Sequence, residues 1–314
     1  MYWPFFRSKQ EELLALKELG PKLSNLIVPI IKPHAAGPRV EGQIGRVLET
    51  GLRIALIMNT NEGAPIPSLA DVAGMEQSLE KKYKGQVFPA LEVRPGINSH
   101  DVAHFVRAYK TRALVFVHRA HTLPAVNFSV QGAVQIINAN AVPESLVNAL
   151  PKNRNVLLRD GFQRQQVNGS YPAASHFDDL AYTYTVSGWN GFGDFAAIGD
   201  VPYSKGGGEP SHVALHLTEP NTKNQSIKCL HFVSTVPSDS TDRQTKYFDS
   251  LQKLVNYTGI PGAGALATEG VSDYCANHAE ARFPGLGCPK RWSTKHHIEL
   301  LHNYLVGSGA TAWV

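Results

Sequence analysis

Six short apolar runs in the first half of the chain each end on residues able to do chemistry. Lys32 and His34 follow the first, Asn59 and Asn61 the second, and Glu92 and Arg94 the third. His118 and Arg119 close the fourth, Asn138 the fifth, and Arg159 and Asp160 the sixth. An apolar segment that ends on a charge needs that charge solvated or paired. A ring of such ends makes a polar mouth, which is the form a binding site takes. Two pairs carry the most chemistry. Arg159-Asp160 and Glu92-x-Arg94 each put a carboxylate beside a guanidinium, which keeps the carboxylate ionised and oriented. The carboxylate can then hold Mg²⁺ or act as a base, while arginine grips phosphate with two N–H groups. The plainer reading of the same pairs is an ion pair that locks two strands together.

Further along, Lys205-Gly206-Gly207-Gly208 offers backbone N–H groups to a phosphate at a point where barrel enzymes often bind one. It reads equally as a flexible loop. Asp194 and Asp200 supply carboxylates for a metal, or cap turns. His118 and His216 are available as acid or base. Cys275-x-x-His278, Cys288 and His296-His297 have zinc-type ligand chemistry, but their spacing fits no standard finger. Adjacent helical residues point about 100° apart, so His296 and His297 do not readily share one metal. The plainer expectation is that His297 packs in the core with Ile298 and Leu301. His118-Arg119-Ala120-His121 is similar to the His-Arg-Gly start of glycerophosphodiesterases. There, however, the motif follows the first strand and a Glu-x-Asp pair comes later, and that partner motif is missing here.

The elements that must position these residues alternate between strand and helix. Strands are expected at residues 26–31, 53–59, 87–93, 113–118, 134–138 and 155–160. Helices fall at 8–19, 43–50, 68–83, from Ser99 or Asp101 to about 110, and at 143–150. Pro29 is unusual inside a central strand. The strand interval matches a βα unit, and the strands are short and apolar, as in a parallel sheet buried on both faces. No glycine-rich dinucleotide loop follows the first strand, which argues against a doubly wound nucleotide fold. The expected architecture is therefore one α/β, TIM-barrel-like (β/α) domain over residues 1–314. Its closure becomes irregular after the sixth strand, and its C-terminus is helical. Residues 194–199 stand as strand seven. Residues 213–218 and 228–234 stand as strand eight and a partner, joined by a hairpin across 221–225. Helices at 241–257 and 294–305 finish the chain. Tyr2, Trp3, Phe5 and Phe6 read as a plug for the bottom of the barrel, or as a docking strip for a partner.

Hydrophobic residues make up 43% of the 314 and charged residues 18%, enough apolar mass for a substantial core and too little charge for a disordered chain. Thirty basic against 26 acidic residues leave a net charge of +4, too slight for binding duplex nucleic acid across a whole surface. A local basic groove is compatible with it. Three cysteines without a CxxC exclude a disulfide framework and point to a reducing compartment, the cytoplasm. No apolar run approaches a membrane span, and the aromatic start is too short for a signal segment.

The string F-P-G-L-G-C-P-K-R-W-S-T-K-H-H-I-E-L-L-H-N-Y-L at residues 283–305 is the most distinctive in the chain. It resembles the end of an uncharacterised bacterial group named "Beta protein" or "beta family protein". The closer resemblance is to a branch named after a myxobacterial locus tag beginning "sce". Residues 2–19, with their Phe-Arg-x-Lys-Gln-x-Glu-Leu core, are similar to that branch. So are residues 26–33, L-L-R-D-G-F at 157–162, G-F-G-D at 191–194 and residues 231–234. Cys275 and Cys288 are not features of the group. The resemblance implies a component of a two-gene bacterial defence module. The group's members tend to be encoded beside a small gene whose product looks like a nuclease.

Two functions follow as expectations. In the first, the chain is a sensor or scaffold for that nuclease-like protein partner, in an antiphage defence system. In the second, it is a metal-dependent phosphodiesterase, nuclease or nucleotide hydrolase with its site at the barrel mouth. There Asp160, Glu92 and Asp194 would hold Mg²⁺ or Mn²⁺. Lys32, Arg94, Arg119, Arg159, Lys205, Gly206 and Gly207 would bind the phosphate of a nucleotide or nucleic-acid ligand. Asp160, Glu92, His118 and His216 would be catalytic. Neither reading requires a membrane.

Overall fold

A computed structural model describes residues 1–120, 132–149, 154–201, 210–221, 223–235, 242–260 and 267–314. The expected glycine-rich phosphate loop, Lys205, Gly206 and Gly207, lies outside the described residues, as does His121. The chain divides into two compact units. One comprises Met1–Arg159, Thr183–Asp194 and Leu305–Val314; the other comprises Asp160–Tyr182 and Phe195–Tyr304.

The first unit is built on eight parallel strands. They are β1 (Phe5–Phe6), β2 (Ile30–Ile31), β3 (Ile54–Ile57), β4 (Val87–Val93), β5 (Val115–His118), β6 (Val134–Asn138), β7 (Asn155–Leu158) and β9 (Gly191–Gly193). β8 (Ala174–Asp178) belongs to the other unit. The eight pair in that order, every neighbour parallel. The last strand returns to the first. Tyr2 bridges Phe192, Trp3 N–H donates to Phe192 O at 2.9 Å, and Phe5 N–H donates to Asp194 O at 2.9 Å. Helices α1 (Gln10–Leu19), α2 (Pro38–Leu48), α3 (Leu69–Lys82), α4 (Ser99–Ala108) and α5 (Glu144–Ala149) follow β1, β2, β3, β4 and β6. This is the α/β, TIM-barrel-like fold expected from the strand–helix alternation. Local chemistry agrees with it. Ser68 and Asp71 cap α3 reciprocally, and Asn98 and Asp101 do the same for α4.

The expectations fail at the two ends of the barrel. The aromatic N-terminus is neither plug nor docking strip: Phe5–Phe6 is the first barrel strand, so the apolar run at 26–31 becomes the second. Pro29 is tolerated there for a geometric reason. Alternate N–H groups of this run, those of Val28, Ile30 and Lys32, donate to the carbonyls of Tyr2, Pro4 and Phe6. Pro29 stands in the other phase, where only its carbonyl is used, by Ala55 N–H. The eighth barrel strand is Gly191–Gly193, and residues 196–198 form a 3₁₀ turn instead of strand seven. Its glycines are required by the closeness of the seam. A Cβ on Gly193 would stand 2.3 Å from Trp3 O, and one on Gly191 would stand 2.9 Å from Met1 O.

The second unit consists of the segments that follow β7 and β9 in the chain. β8, followed by the one-turn α6 (Leu180–Thr183), pairs with the hairpin β10 (Ala214–Asn221) and β11 (Ser226–Val233) in an antiparallel sheet ordered β10-β11-β8. The hairpin is where the sequence puts it, but it is not barrel strand eight. One face carries Val213, Leu215, Leu217, Leu230 and Phe232. These pack against Tyr247, Leu251 and Leu254 of α7 (Arg243–Thr258), Val271 and Tyr274 of α8 (Glu269–Glu280), and Trp292 of α9 (Gly287–Gly307). Among the described residues, no helix is long and apolar enough to cross a membrane.

Candidate functional site

Successive side chains on a strand point to opposite faces, so of two adjacent residues at a strand end only one can enter the barrel. The pairing register decides which. Phe5 pairs with Ile30, Ile30 with Ala55, Ala55 with Phe88, and Glu92 with Val117. Arg7, Lys32, Asn59, Glu92, Arg94 and Arg119 therefore share the inward phase, at the C-terminal ends of the strands. They meet. Lys32 Nζ, 3% exposed, donates to Glu92 Oε1 at 3.0 Å and Oε2 at 2.8 Å. Arg119 reaches the same carboxylate at 3.7 Å and Arg94 at 3.5 Å. Asn59 fixes the backbone of Glu92 on both sides, accepting its N–H at 2.8 Å and donating to its carbonyl at 2.9 Å. Glu62, on the segment between β3 and α3, bridges Arg7 at 2.7 Å and Lys32 at 3.1 Å. Burial opposes its charge, but Arg7 and Lys32 outweigh burial and hold the carboxyl below its ordinary range. The guanidinium carbons of Arg7 and Arg119 lie 5.8 and 5.6 Å from the centre of the Phe5 ring. Lys32 and Glu92 form the floor of the cluster; Arg94, Arg119 and Glu62 are partly exposed above it.

The other phase accounts for His118, Asp194 and Arg159, which do not join. His118 pairs with Ile137 and lies beside Phe116, which packs edge-on against Phe105 of α4. It is in the layer between strands and helices, with its Nε2 2.7 Å from Gln135 Oε1. Burial lowers its pKa to about 4. Asp194 shares the phase of Phe192 and accepts the Tyr2 hydroxyl at 2.6 Å; burial first, and then this carboxylate, raise that phenol's pKa. Arg159 continues the outward phase of Leu157, its N–H donating to Gly193 O. Asp160 belongs to the second unit and accepts the N–H groups of Phe162 and Asp200, the work of a turn cap. Of the expected metal carboxylates, Glu92 and Asp194 therefore point to opposite faces of the barrel strands. Among the described residues, the group of metal-ligand type whose atoms converge is a different one: His216, Cys229 and His231, within 4.8 Å of one another.

That group lies in the second unit. His216 on β10 faces His231 on β11, with Nδ1 atoms 2.8 Å apart. Burial is the first cause lowering their pKa values, to about 3 for His216 and about 4 for His231. Burial also pushes the Cys229 thiol up. The C-terminal histidines are structural. His296 is held by the Thr268 hydroxyl at 2.8 Å and Thr218 O at 2.6 Å. His297 meets the Thr218 hydroxyl at 2.9 Å and packs on Phe177. Cys275 is exposed, and Cys288 donates to Pro284 O.

Arg7 and Glu62 were not singled out in the sequence. Arg7 carries a signal in retrospect, since Phe5-Phe6-Arg7 is an apolar pair ending on a cation, like the longer strand ends. Glu62 carries none, because it reaches the site from a loop. Cys229-x-His231 on a strand does carry one: residues two apart share a face. Comparison with protein-family models, curated proteins and solved structures gives no match to this chain.

Proposed function

We propose that the chain is the sensor or scaffold subunit of a cytoplasmic two-gene bacterial defence system, and that its barrel mouth receives a phosphate-bearing ligand without hydrolysing it. One observation carries the ligand half of this reading. Four cations, Arg7, Lys32, Arg94 and Arg119, gather around two carboxylates, Glu62 and Glu92. Positive charge exceeds negative in this cluster, and its upper members reach solvent. Partly desolvated guanidinium groups favour phosphate and bind it bidentately. Both carboxylates are engaged by cations, and among the described residues no group of three carboxylates converges to hold Mg²⁺ or Mn²⁺ in the manner of a hydrolase. The resemblance to the "Beta protein" group supports the system and its nuclease-like partner.

The test pairs two measurements on the intact chain. Tagged protein is co-purified with the product of the neighbouring gene, and nucleotides are titrated calorimetrically into the wild type, Arg94→Ala and Arg119→Ala. The expected result is a stable complex, plus nucleotide binding that weakens at least tenfold in each variant. Mg²⁺- or Mn²⁺-dependent cleavage by the isolated chain that vanishes in folded Asp160→Ala would overturn the reading in favour of a hydrolase.

A further inference from the structure

We propose that His216, Cys229 and His231 form a zinc site in the second unit. The site is independent of the barrel mouth, and neither assignment depends on the other.

The hairpin itself supplies the geometry. His216 and His231 are direct cross-strand partners, so their side chains leave the sheet on one face. Cys229 stands two residues before His231 and therefore shares that face, opposite Thr218. The opposite face is the apolar one that packs against the helices. The two Nδ1 atoms are 2.8 Å apart, Cys229 Sγ is 3.9 Å from His231 Nδ1, and all three ligand atoms lie within 4.8 Å of one another. A tetrahedral zinc ion, with bonds of about 2.0 Å to nitrogen and about 2.3 Å to sulfur, separates its ligands by roughly 3.3–3.6 Å. The observed spacings of 2.8, 3.9 and up to 4.8 Å bracket that range, so side-chain rotations that move the ligand atoms by about an ångström complete the set.

The surroundings are those of a held ligand set. His231 Nε2 is 2.9 Å from the Ser175 hydroxyl, the kind of outer partner that fixes a ligating ring and leaves its other nitrogen for the metal. The Tyr171 ring lies 4.7 Å from both imidazoles, stacked on His231 and edge-on to His216. Phe162 closes on His216 at 5.1 Å. The two imidazoles hydrogen-bond to each other, and the Cys229 thiol, which donates to Leu230 O at 3.8 Å, keeps its sulfur 3.9 Å from His231 Nδ1. One thiolate and two imidazoles are a borderline-soft set, suited to Zn²⁺ and unsuited to Mg²⁺ or Ca²⁺. Three protein ligands leave the fourth position to water or a small anion.

The test uses the full chain stripped of metal by a chelator and then titrated with CoCl₂. The expected result is one Co²⁺ per chain, with a thiolate-to-cobalt charge-transfer band that ZnCl₂ abolishes by displacement. ZnCl₂ should also raise the melting temperature, and EDTA should reverse the rise. Cys229→Ser should lose the band, and His216→Ala should bind Co²⁺ at least about tenfold more weakly. Cys275→Ser and Cys288→Ser should keep the band. If circular dichroism shows that Cys229→Ser is unfolded, the wild-type stoichiometry and His216→Ala decide. Absence of a one-to-one complex in the wild type, or a band that persists in folded Cys229→Ser, would overturn the site.

Discussion

Lys32 and Glu92 meet where water is excluded, and that fixes how each must be understood. A buried ion pair gains from Coulomb attraction about what desolvation costs, but removing one partner strands the other, at a cost of about 3–5 kcal/mol. The pair is a floor on which Arg94 and Arg119 are arranged, not a free base beside a substrate. His118 shows the opposite solution to burial: it stays neutral. Its folded pKa is about 4, against about 6.5 when exposed. The unfolded chain therefore takes up a proton between these values and the folded chain does not. Stability is full above about pH 6.5 and falls as pH drops towards 4, by about 1.4 kcal/mol per unit from this residue. In urea titrations at a series of pH values, His118→Gln should have a shallower acid slope than the wild type. Its total loss over that range should be smaller by on the order of 3 kcal/mol. Equal slopes would show that His118 does not set the acid sensitivity. His216 and His231 are unchanged in the variant, so their contribution cancels.

At the scale of elements, the seam between β9 and β1 is the most demanding joint in the barrel. Two glycines let the strands approach, and a methyl on Gly193 would meet the backbone of Trp3, which a side-chain rotation cannot relieve. Gly193→Ala should therefore destabilise the barrel by about 1–3 kcal/mol, lowering the melting temperature by several degrees. Gly42→Ala, whose methyl would meet nothing within 4 Å and which lies inside α2, should be neutral or slightly stabilising. Equal melting temperatures would refute the seam argument. The same seam explains what the sequence conceals. β4 and β6 are legible to the residue, because seven and five residues, mostly apolar and bounded by turn signals, form runs long enough to recognise. β1 and β9 have two and three residues and show no periodicity at all. Barrel strands are buried on both faces, so apolar alternation does not reveal which face is inward. That is why Glu92 and Arg119 could be placed at the mouth together with His118 and Asp194, which point the other way. Lys32, Arg94 and Arg119 were legible as strand-end residues; Arg7, on a two-residue strand, and the phase that selects among strand ends were not.

At the scale of the whole molecule, the two units are interleaved in the chain. The barrel's first seven strands are complete by Leu158, but the eighth arrives only after Asp160–Tyr182 has been spent on the second unit. The remaining ten residues of the first unit follow another long excursion, and they are used at its lower end. Trp313 Nε1 donates to Asn190 O at 2.8 Å, its ring lies 6.1 Å from that of Trp3, and Arg53 donates to the carbonyl of Val314. Neither unit is therefore a continuous stretch that can be cut out at one boundary. A fragment of residues 1–159 would keep most of the barrel's apolar interior but leave β1 and β7 as open parallel edges. Unpaired edges with buried-type side chains template association between chains. Such a fragment should be recovered in the insoluble fraction, or as aggregates on size exclusion, and should unfold without a cooperative transition. The full chain, with its seam closed by Gly191–Gly193, should be soluble and unfold cooperatively in the same buffer. A monomeric, cooperatively folding 1–159 would mean that seven strands suffice, and that the glycine seam is an ornament on the barrel, not the step that completes it.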